Sequence, residues 1–122
     1  MPENEIKYID YLKPETSEAG SFPAVGHKYE VDYGGDYLVQ FDFHSVRSMT
    51  ILGMKGKYKG FTQTVEISVT PIRPGVFMVA WQEENQTTVT HVEDFEKGII
   101  YANITLPGNN YLRLQGPFKQ IK

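Results

Sequence analysis

The sequence predicts an all-β protein, an eight-stranded antiparallel up-and-down barrel preceded by a short N-terminal arm or helix. From Gly26 onward, short runs rich in valine, isoleucine, tyrosine, phenylalanine and threonine follow one another at fairly even intervals, a composition that is typical of strands. Glycine, proline, asparagine or aspartate residues separate the runs, and links this short join antiparallel neighbours. Closure into a barrel removes unpaired strand edges, so we favour a barrel over a two-sheet sandwich.

Residues 1–24 are predicted to form the N-terminal arm, and residues 25–122 are predicted to form a single barrel domain. The arm carries five acidic residues and few side chains that could be buried. A short helix is expected over residues 3–12, because the apolar residues there recur at helical spacing and Pro14 would end the helix.

The eight predicted strands are defined by alternating apolar and polar residues and by the turns between them. In the first strand every second residue from Tyr29 is apolar or aromatic, which indicates one buried face. The fifth strand is apolar on both sides, so its outer face, Val76, Met78 and Ala80, is expected to meet another element or subunit. The strands cover His27–Tyr33, Asp36–His44, Arg47–Met54, Thr62–Pro71, Val76–Glu83, Thr87–Asp94, Gly98–Leu106 and Tyr111–Pro117.

Composition and charge exclude several classes of function. The formal net charge of -3 lacks the surplus of lysine and arginine that nucleic-acid binding requires. The absence of cysteine excludes disulfides, thiolate nucleophiles and cysteine zinc sites. The sequence shows no signal peptide and no apolar segment of about 20 residues that could span a bilayer. We therefore expect a cytoplasmic protein without membrane contact.

The sequence suggests neither a metal nor a cofactor. The three histidines, His27, His44 and His91, fall on separate predicted strands and form no His-x-His pair, the kind of close spacing that would point to a metal site. Glycine-rich phosphate loops and the Gly-x-Ser-x-Gly elbow are also missing from the sequence. The expected ligand is therefore an organic molecule held by side chains alone.

Four segments resemble one protein family. Gly26–Glu30, Pro74–Glu83, Thr88–Phe95 and Ile100–Ile104 are similar to the MoaF-like family of small calycin barrels. The elements Gly-Val-aromatic-x-Val-x-Trp-x-Glu and His-Val-x-Asp-Phe occur in the same order and spacing. The resemblance implies a calycin, or lipocalin-like, barrel, and it implies the fold far more firmly than any function.

A more distant resemblance is to the phenolic acid decarboxylases, which share this barrel. It places Trp81 and Glu83 at the tryptophan and glutamate of those enzymes, and it implies that the glutamate handles the proton of a phenol. The paired tyrosines of the decarboxylases would fall near Ser21 and Pro23, and their arginine near Lys57 or Lys59. The tyrosines and arginine that bind the substrate carboxylate in those enzymes are therefore not present as such, because lysine lacks the bidentate fork of arginine. The comparison implies shared architecture without shared activity.

Glu83 and His91 are the candidate catalytic residues. Glu83 shares a face with Trp81, so its carboxylate would lie beside an indole near the barrel mouth, where an apolar environment suits acid–base work. His91 lies in the strand expected to pair with the Trp81 strand and would reach the same space. Alternatively, Glu83 is a solvated glutamate at a strand end, and His91 is a structural histidine bonded to a neighbour.

The candidate ligand-binding residues are aromatic side chains of the interior and two cations near the rim. A rim arginine could steer an anionic ligand inward. Core packing and ordinary surface exposure are the alternatives for these residues, because a small barrel must fill its interior. The set comprises Tyr29, Tyr33, Phe41, Phe43, Arg47, Lys57, Trp81 and Tyr101.

The predicted function is that of a small-molecule-binding barrel, a homodimer, whose aromatic or carboxylate ligand enters near Trp81, Glu83 and His91. A second hypothesis is a lyase or isomerase acting on an aromatic or unsaturated carboxylic acid, with Glu83 or His91 as general acid or base. In that enzyme Lys57 or Arg47 would hold the carboxylate. A third hypothesis is an interaction module with a filled barrel that works through the outer face of the fifth strand. The sequence leaves the choice between binding and catalysis open.

Overall fold

The computed structural model describes residues 22–122, which form nine β-strands and one short 3₁₀ helix. The strands are β1 (Lys28–Asp32), β2 (Leu38–Ser45), β3 (Ser48–Gly53), β4 (Thr62–Glu66), β5 (Ser68–Arg73), β6 (Val76–Gln82), β7 (Thr88–Asp94), β8 (Ile99–Leu106) and β9 (Asn110–Gln120), and the helix is Gly56–Tyr58. The helix predicted over residues 3–12 and most of the predicted arm lie outside the described residues. Residues 22–122 contain no helix with the length and hydropathy of a transmembrane helix.

The nine strands form one antiparallel sheet that curls into a nearly closed up-and-down barrel. Their spatial order is β4-β3-β2-β1-β9-β8-β7-β6-β5, so most strands lie beside their neighbours in sequence. The ring is completed by β1 and β9, which place Val31 opposite Phe118. The predicted all-β antiparallel barrel is confirmed.

The described chain has nine strands rather than eight because the predicted fourth strand, Thr62–Pro71, is divided in two. β4 pairs with β3 and β5 pairs with β6. Ile67 lies between them, and its backbone N–H donates to the carbonyl of Arg47 at 2.9 Å. Val65, Ile67 and Val69 all remain buried, so the chain changes its pairing partner without changing the face it buries. Alternation predicts the buried face but does not show which strand a residue pairs with.

The inward face of β6 follows the predicted alternation. Phe77, Val79 and Trp81 are buried. The outer face is divided, because Val76 is buried within the described part of the fold whereas Met78 is 37% exposed. A subunit contact at this face stays a prediction, and Met78 would lie at its centre.

One end of the barrel is closed by an aromatic cluster, which we call the plug. Phe22 is 3% exposed, and its ring centroid lies 5.1 Å from that of Phe77, 5.4 Å from that of Phe43 and 5.5 Å from that of Phe95. Edge-to-face contacts of this kind contribute about 0.5–1.5 kcal/mol per pair beyond the burial of the rings. The plug comprises Phe22, Tyr29, Phe43, Phe77, Phe95 and Phe118.

Candidate functional site

The other end of the barrel contains a cavity of about 200 Å³. Strand β6 runs from one end of the barrel to the other. Phe77 at its start belongs to the plug, and Trp81 near its end lines the cavity. An apolar cavity of about 150 Å³ can hold a benzene molecule, so this space suits a ligand with one ring. The lining comprises Tyr33, Tyr37, Val39, Phe41, Ile51, Gly53, Tyr58, Phe61, Trp81, Glu83, Asn85, Thr87, Val89, His91, Ile104 and Leu106.

The hairpin of β6 and β7 supplies much of this lining. Trp81 pairs with Val89, and His91 lies two residues farther along β7, so it shares the inward face of Val89. The turn between the strands is closed by the backbone N–H of Glu83, which donates to the carbonyl of Thr87 at 2.8 Å. The hairpin therefore brings an indole, an imidazole, a carboxylate and a hydroxyl to one cavity.

The turn between β1 and β2 places two tyrosines at the cavity. The N–H of Tyr33 donates to the carbonyl of Tyr37 at 3.0 Å, and the N–H of Tyr37 donates to the carbonyl of Gly34 at 3.0 Å. Gly34 and Gly35 have φ angles of 103° and 56°, which other residues adopt only with strain. The ring of Tyr37 lies 5.1 Å from that of Tyr33 and stacks at 5.1 Å on that of Tyr58. Three phenol rings thereby contribute to one wall.

The segment that follows β3 folds back over the cavity. The N–H of Gly53 donates to the carbonyl of Phe61 at 2.8 Å, and the N–H of Gly60 donates to the carbonyl of Gly53 at 3.0 Å. A Cβ atom at Gly53 would clash with the carbonyl oxygen of Tyr58, so this close approach needs glycine. The packing holds Tyr58 and Phe61 against the cavity.

Tyr33, His91 and Glu93 are connected by hydrogen bonds that lead from the cavity to the interior. We call these three residues the relay. Nδ1 of His91 lies 3.0 Å from Oε2 of Glu93, and Nε2 of His91 lies 2.7 Å from the hydroxyl oxygen of Tyr33. A carboxylate only accepts, so Nδ1 carries a proton, and when the imidazole carries this one proton Nε2 accepts from Tyr33. His91 and Glu93 are buried, and the ring of Trp81 lies edge-on to that of His91 at 4.8 Å. The imidazole is therefore fixed in both position and tautomer.

Two buried polar atoms have no hydrogen-bond partner among residues 22–122, namely Oγ1 of Thr87 and Oε1 of Glu93. Thr87 is 3% exposed and lines the cavity. An unsatisfied buried polar group destabilises a protein by about 1–3 kcal/mol, so a polar ligand group that reaches Thr87 would be stabilising. No group of three potential metal ligands is found within the same residues.

Glu83 is the acidic group of the cavity lining. Nε1–H of Trp81 donates to Oε2 of Glu83 at 3.0 Å. Loss of hydration raises the pKa of Glu83, and the hydrogen bond from Trp81 opposes part of that rise. The indole thus orients the carboxylate and leaves Oε1 available as an acceptor.

Tyr33 and Tyr37 keep their protons at neutral pH because their pKa values are raised. Burial, aided by the neighbouring groups Tyr58 and Glu83, raises the pKa of Tyr37 to about 12. Burial also raises the pKa of Tyr33 well above its usual value, with smaller contributions from Tyr37 and Glu93. Both side chains therefore act as neutral hydroxyls, and Tyr33 uses its proton in the bond to His91.

Five of the residues predicted from the sequence meet at the cavity. They are Tyr33, Phe41, Trp81, Glu83 and His91. The ring of Phe41 lies 5.3 Å from that of His91 and 5.8 Å from that of Trp81, so strands β2, β6 and β7 contribute to one contact surface. The binding or catalytic roles of these residues stay predictions.

The other five predicted residues lie elsewhere, and we leave them out of the site. Tyr29 and Phe43 belong to the plug, because they lie toward the closed ends of β1 and β2. Arg47 lies in the turn after β2, exposed, and pairs with a surface glutamate at 3.5 Å. Lys57 is exposed on the 3₁₀ helix. Tyr101 is 45% exposed, because alternation in β8 directs its neighbours on either side inward.

Sequence reasoning missed Glu93, Thr87 and Tyr58 as site residues. Glu93 has the same alternation as His91, which is a signal for an inward position, but a charged side chain is almost never fully buried unless it is paired. The hydrogen bond between Glu93 and Nδ1 of His91 that accompanies this burial is a property of the folded structure. Thr87 and Tyr58 lie outside regular strands, where alternation does not indicate direction.

Comparison with known proteins agrees with the geometry at the level of the fold and the family. The MoaF-like family matches residues 25–119, and no curated protein matches the chain. The barrel is similar to a crystal structure from Burkholderia vietnamiensis described as a candidate beta-lactamase, with 29% identity and a TM-score of 0.77. The match covers 81% of this chain and 96% of that one. Because the family match spans most of the sequence, the chain belongs to the MoaF-like family.

Proposed function

We propose that the protein binds a small organic molecule, about the size of one aromatic ring, in the cavity of the barrel. The observation that carries this proposal is a space of about 200 Å³ with six aromatic side chains in its lining. Binding sites for small molecules are typically concave and mostly apolar, with a few polar groups that fix orientation. Burial of one ring would supply most of the affinity.

The polar groups of the lining support the same proposal. The hydroxyl of Tyr33, the carboxylate of Glu83 and the unpartnered hydroxyl of Thr87 all belong to the cavity. A barrel interior built only for stability would favour apolar side chains at these positions, because buried polar groups without partners are destabilising. Tyr33 and Glu83 are already bonded to His91 and Trp81, whereas the Thr87 hydroxyl has no partner among residues 22–122, as expected if a ligand supplies its hydrogen bond.

A thermal-shift screen with single-ring compounds tests the proposal. A ligand at 100 times its dissociation constant stabilises the folded protein by about 2.7 kcal/mol. Val89→Phe would fill the cavity and should abolish the shift, whereas Val92→Phe makes the same change on the outer face of β7 and should retain it. Flat melting curves across the panel would contradict binding and would favour a filled barrel with an interaction role.

An acid–base enzyme, a lyase or isomerase, is the second candidate function, and the relay favours it. A proton taken from a bound substrate by the Tyr33 oxygen would allow the Tyr33 proton to pass to Nε2 of His91, with Glu93 stabilising the imidazolium. The deuterium exchange of acidic C–H groups in a bound compound would report this transfer by NMR. Tyr33→Phe should slow exchange about 100-fold or more with binding retained. An unchanged rate would rule out a catalytic role for the relay.

A further inference from the structure

The charges around the cavity restrict the chemical class of the ligand in addition to its size. Within residues 22–122 the lining contains no lysine or arginine, and Glu83 is its carboxylate. Of the two rim cations predicted from the sequence, Arg47 pairs with Glu66 on the surface. Lys57 is exposed and outside the lining, and its Nζ lies 5.2 Å from the centroid of the Tyr58 ring. The imidazole of His91 is engaged at both nitrogens.

A carboxylate ligand would therefore be poorly accommodated. It would lose its hydration in a mostly apolar space, would face the charge of Glu83, and would find no cation in the described lining to compensate. Among the hydrogen-bonding groups of the lining, Oε1 of Glu83 only accepts, whereas the unpartnered Thr87 hydroxyl can both donate and accept. The charge of the lining, rather than its hydrogen-bonding groups, therefore disfavours an acid.

A cation would meet the opposite conditions. Six aromatic side chains line the cavity, namely Tyr33, Tyr37, Phe41, Tyr58, Phe61 and Trp81, and the face of an aromatic ring attracts a positive charge. Trp81 holds the carboxylate of Glu83 at 3.0 Å through its N–H, so the strongest aromatic partner for a cation and the counter-charge are adjacent. A ring of aromatic groups with one carboxylate is the arrangement that recognises organic ammonium ions.

We propose that the ligand is a small organic ammonium compound, with its charge at Glu83 and Trp81 and its apolar body among the deeper rings. This inference rests on the proposed binding function and specifies the chemical class of the ligand. The Thr87 hydroxyl lies in the same wall and gives the ammonium group a second acceptor. Glu83 is then a binding residue that selects for charge.

Three compounds that share one ring and differ in charge test this inference: benzylamine, benzyl alcohol and benzoate. Benzylamine is protonated at neutral pH, like a lysine side chain. Isothermal titration calorimetry at pH 7 should show benzylamine binding about tenfold more tightly than benzyl alcohol, with benzoate the weakest of the three. Glu83→Gln keeps an acceptor for Trp81 and should remove the preference for the amine over benzyl alcohol.

Glu84→Gln is the matched control, because it changes the net charge equally in the adjacent residue, which is exposed and outside the lining. It should leave the order of the three compounds intact. Equal affinities, or tighter binding of benzoate, would overturn the ammonium assignment but leave the binding function in place. Absence of binding by all three overturns the ammonium assignment, and absence of binding across the wider panel overturns the binding function as well. If Glu83→Gln fails to fold, the order measured on the unaltered protein still decides.

Discussion

The two ends of the barrel are built from the same strands and from similar aromatic residues, yet their rings contact different partners. At the plug, Phe22 packs edge-on against other phenyl rings. At the cavity, Trp81 and Phe41 pack against His91, which is bonded to Glu93. The comparison teaches that a small barrel can concentrate its apolar stabilisation at one end and keep polar, hydrogen-bonded groups at the other.

The first way to test this comparison is to break the plug. Phe22→Ala removes a buried ring that contacts three others and should lower the free energy of unfolding by about 3–5 kcal/mol. Phe61→Ala, at the cavity and 38% exposed, is the control and should destabilise the protein by less than about 1 kcal/mol. Urea unfolding of both variants measures the difference, and equal losses would show that the two ends are not specialised.

The second test breaks the relay. Glu93→Leu leaves the Nδ1–H of His91 buried without an acceptor and should destabilise the protein by about 1–3 kcal/mol. Glu93→Gln retains an acceptor oxygen and should destabilise it less. The ¹⁵N spectrum of the imidazole should show the proton on Nδ1 in the unaltered protein. A leucine variant that is as stable as the parent would contradict the assigned role of Glu93.

The smallest expected effect concerns the ionisation of Glu83. Burial raises its pKa in the folded state, so folding favours the protonated form. The stabilisation associated with that form is fully present below the ordinary pKa of glutamate, about 4.3, and is lost as pH rises through the folded-state pKa. Glu83→Gln should therefore be more stable than the parent at pH 7 and should approach it at pH 4. A difference in unfolding free energy that is independent of pH would contradict the raised pKa.

The sequence predicted the barrel, and half of the residues that it proposed for the site line the cavity. The reasons for both outcomes lie in particular residues. Alternation indicated the inward positions of Val31 and Trp81, because a side chain in a strand can face only two ways. Alternation does not report depth along the barrel, so Tyr29 was grouped with Tyr33 although it lies in the plug. Tyr101 was expected to line the interior because it is aromatic. It is exposed, because the even-numbered residues of β8 face inward.

The hidden parts of the site depend on contacts between distant segments. Glu93 is buried because His91 binds its carboxylate. The other nitrogen of the His91 ring is hydrogen-bonded to Tyr33, which directly follows β1. No local pattern reports a bond across 58 residues. The division of the predicted fourth strand at Ile67 was missed for a related reason, because pairing partners are set by the whole sheet rather than by the segment itself.

The pairing of β1 with β9 has a consequence for the order in which the molecule can assemble. Its partners, such as Tyr29 and Gln120, are 91 residues apart, so their union carries the largest loop-closure entropy of the ring and is expected late in folding. Tyr33 directly follows β1 and reaches His91 only across the completed ring. The cavity wall at Tyr33 is therefore completed only when β1 and β9 pair, and a ligand bound there should slow amide hydrogen exchange in β1 and β9 more than in the hairpin of β6 and β7.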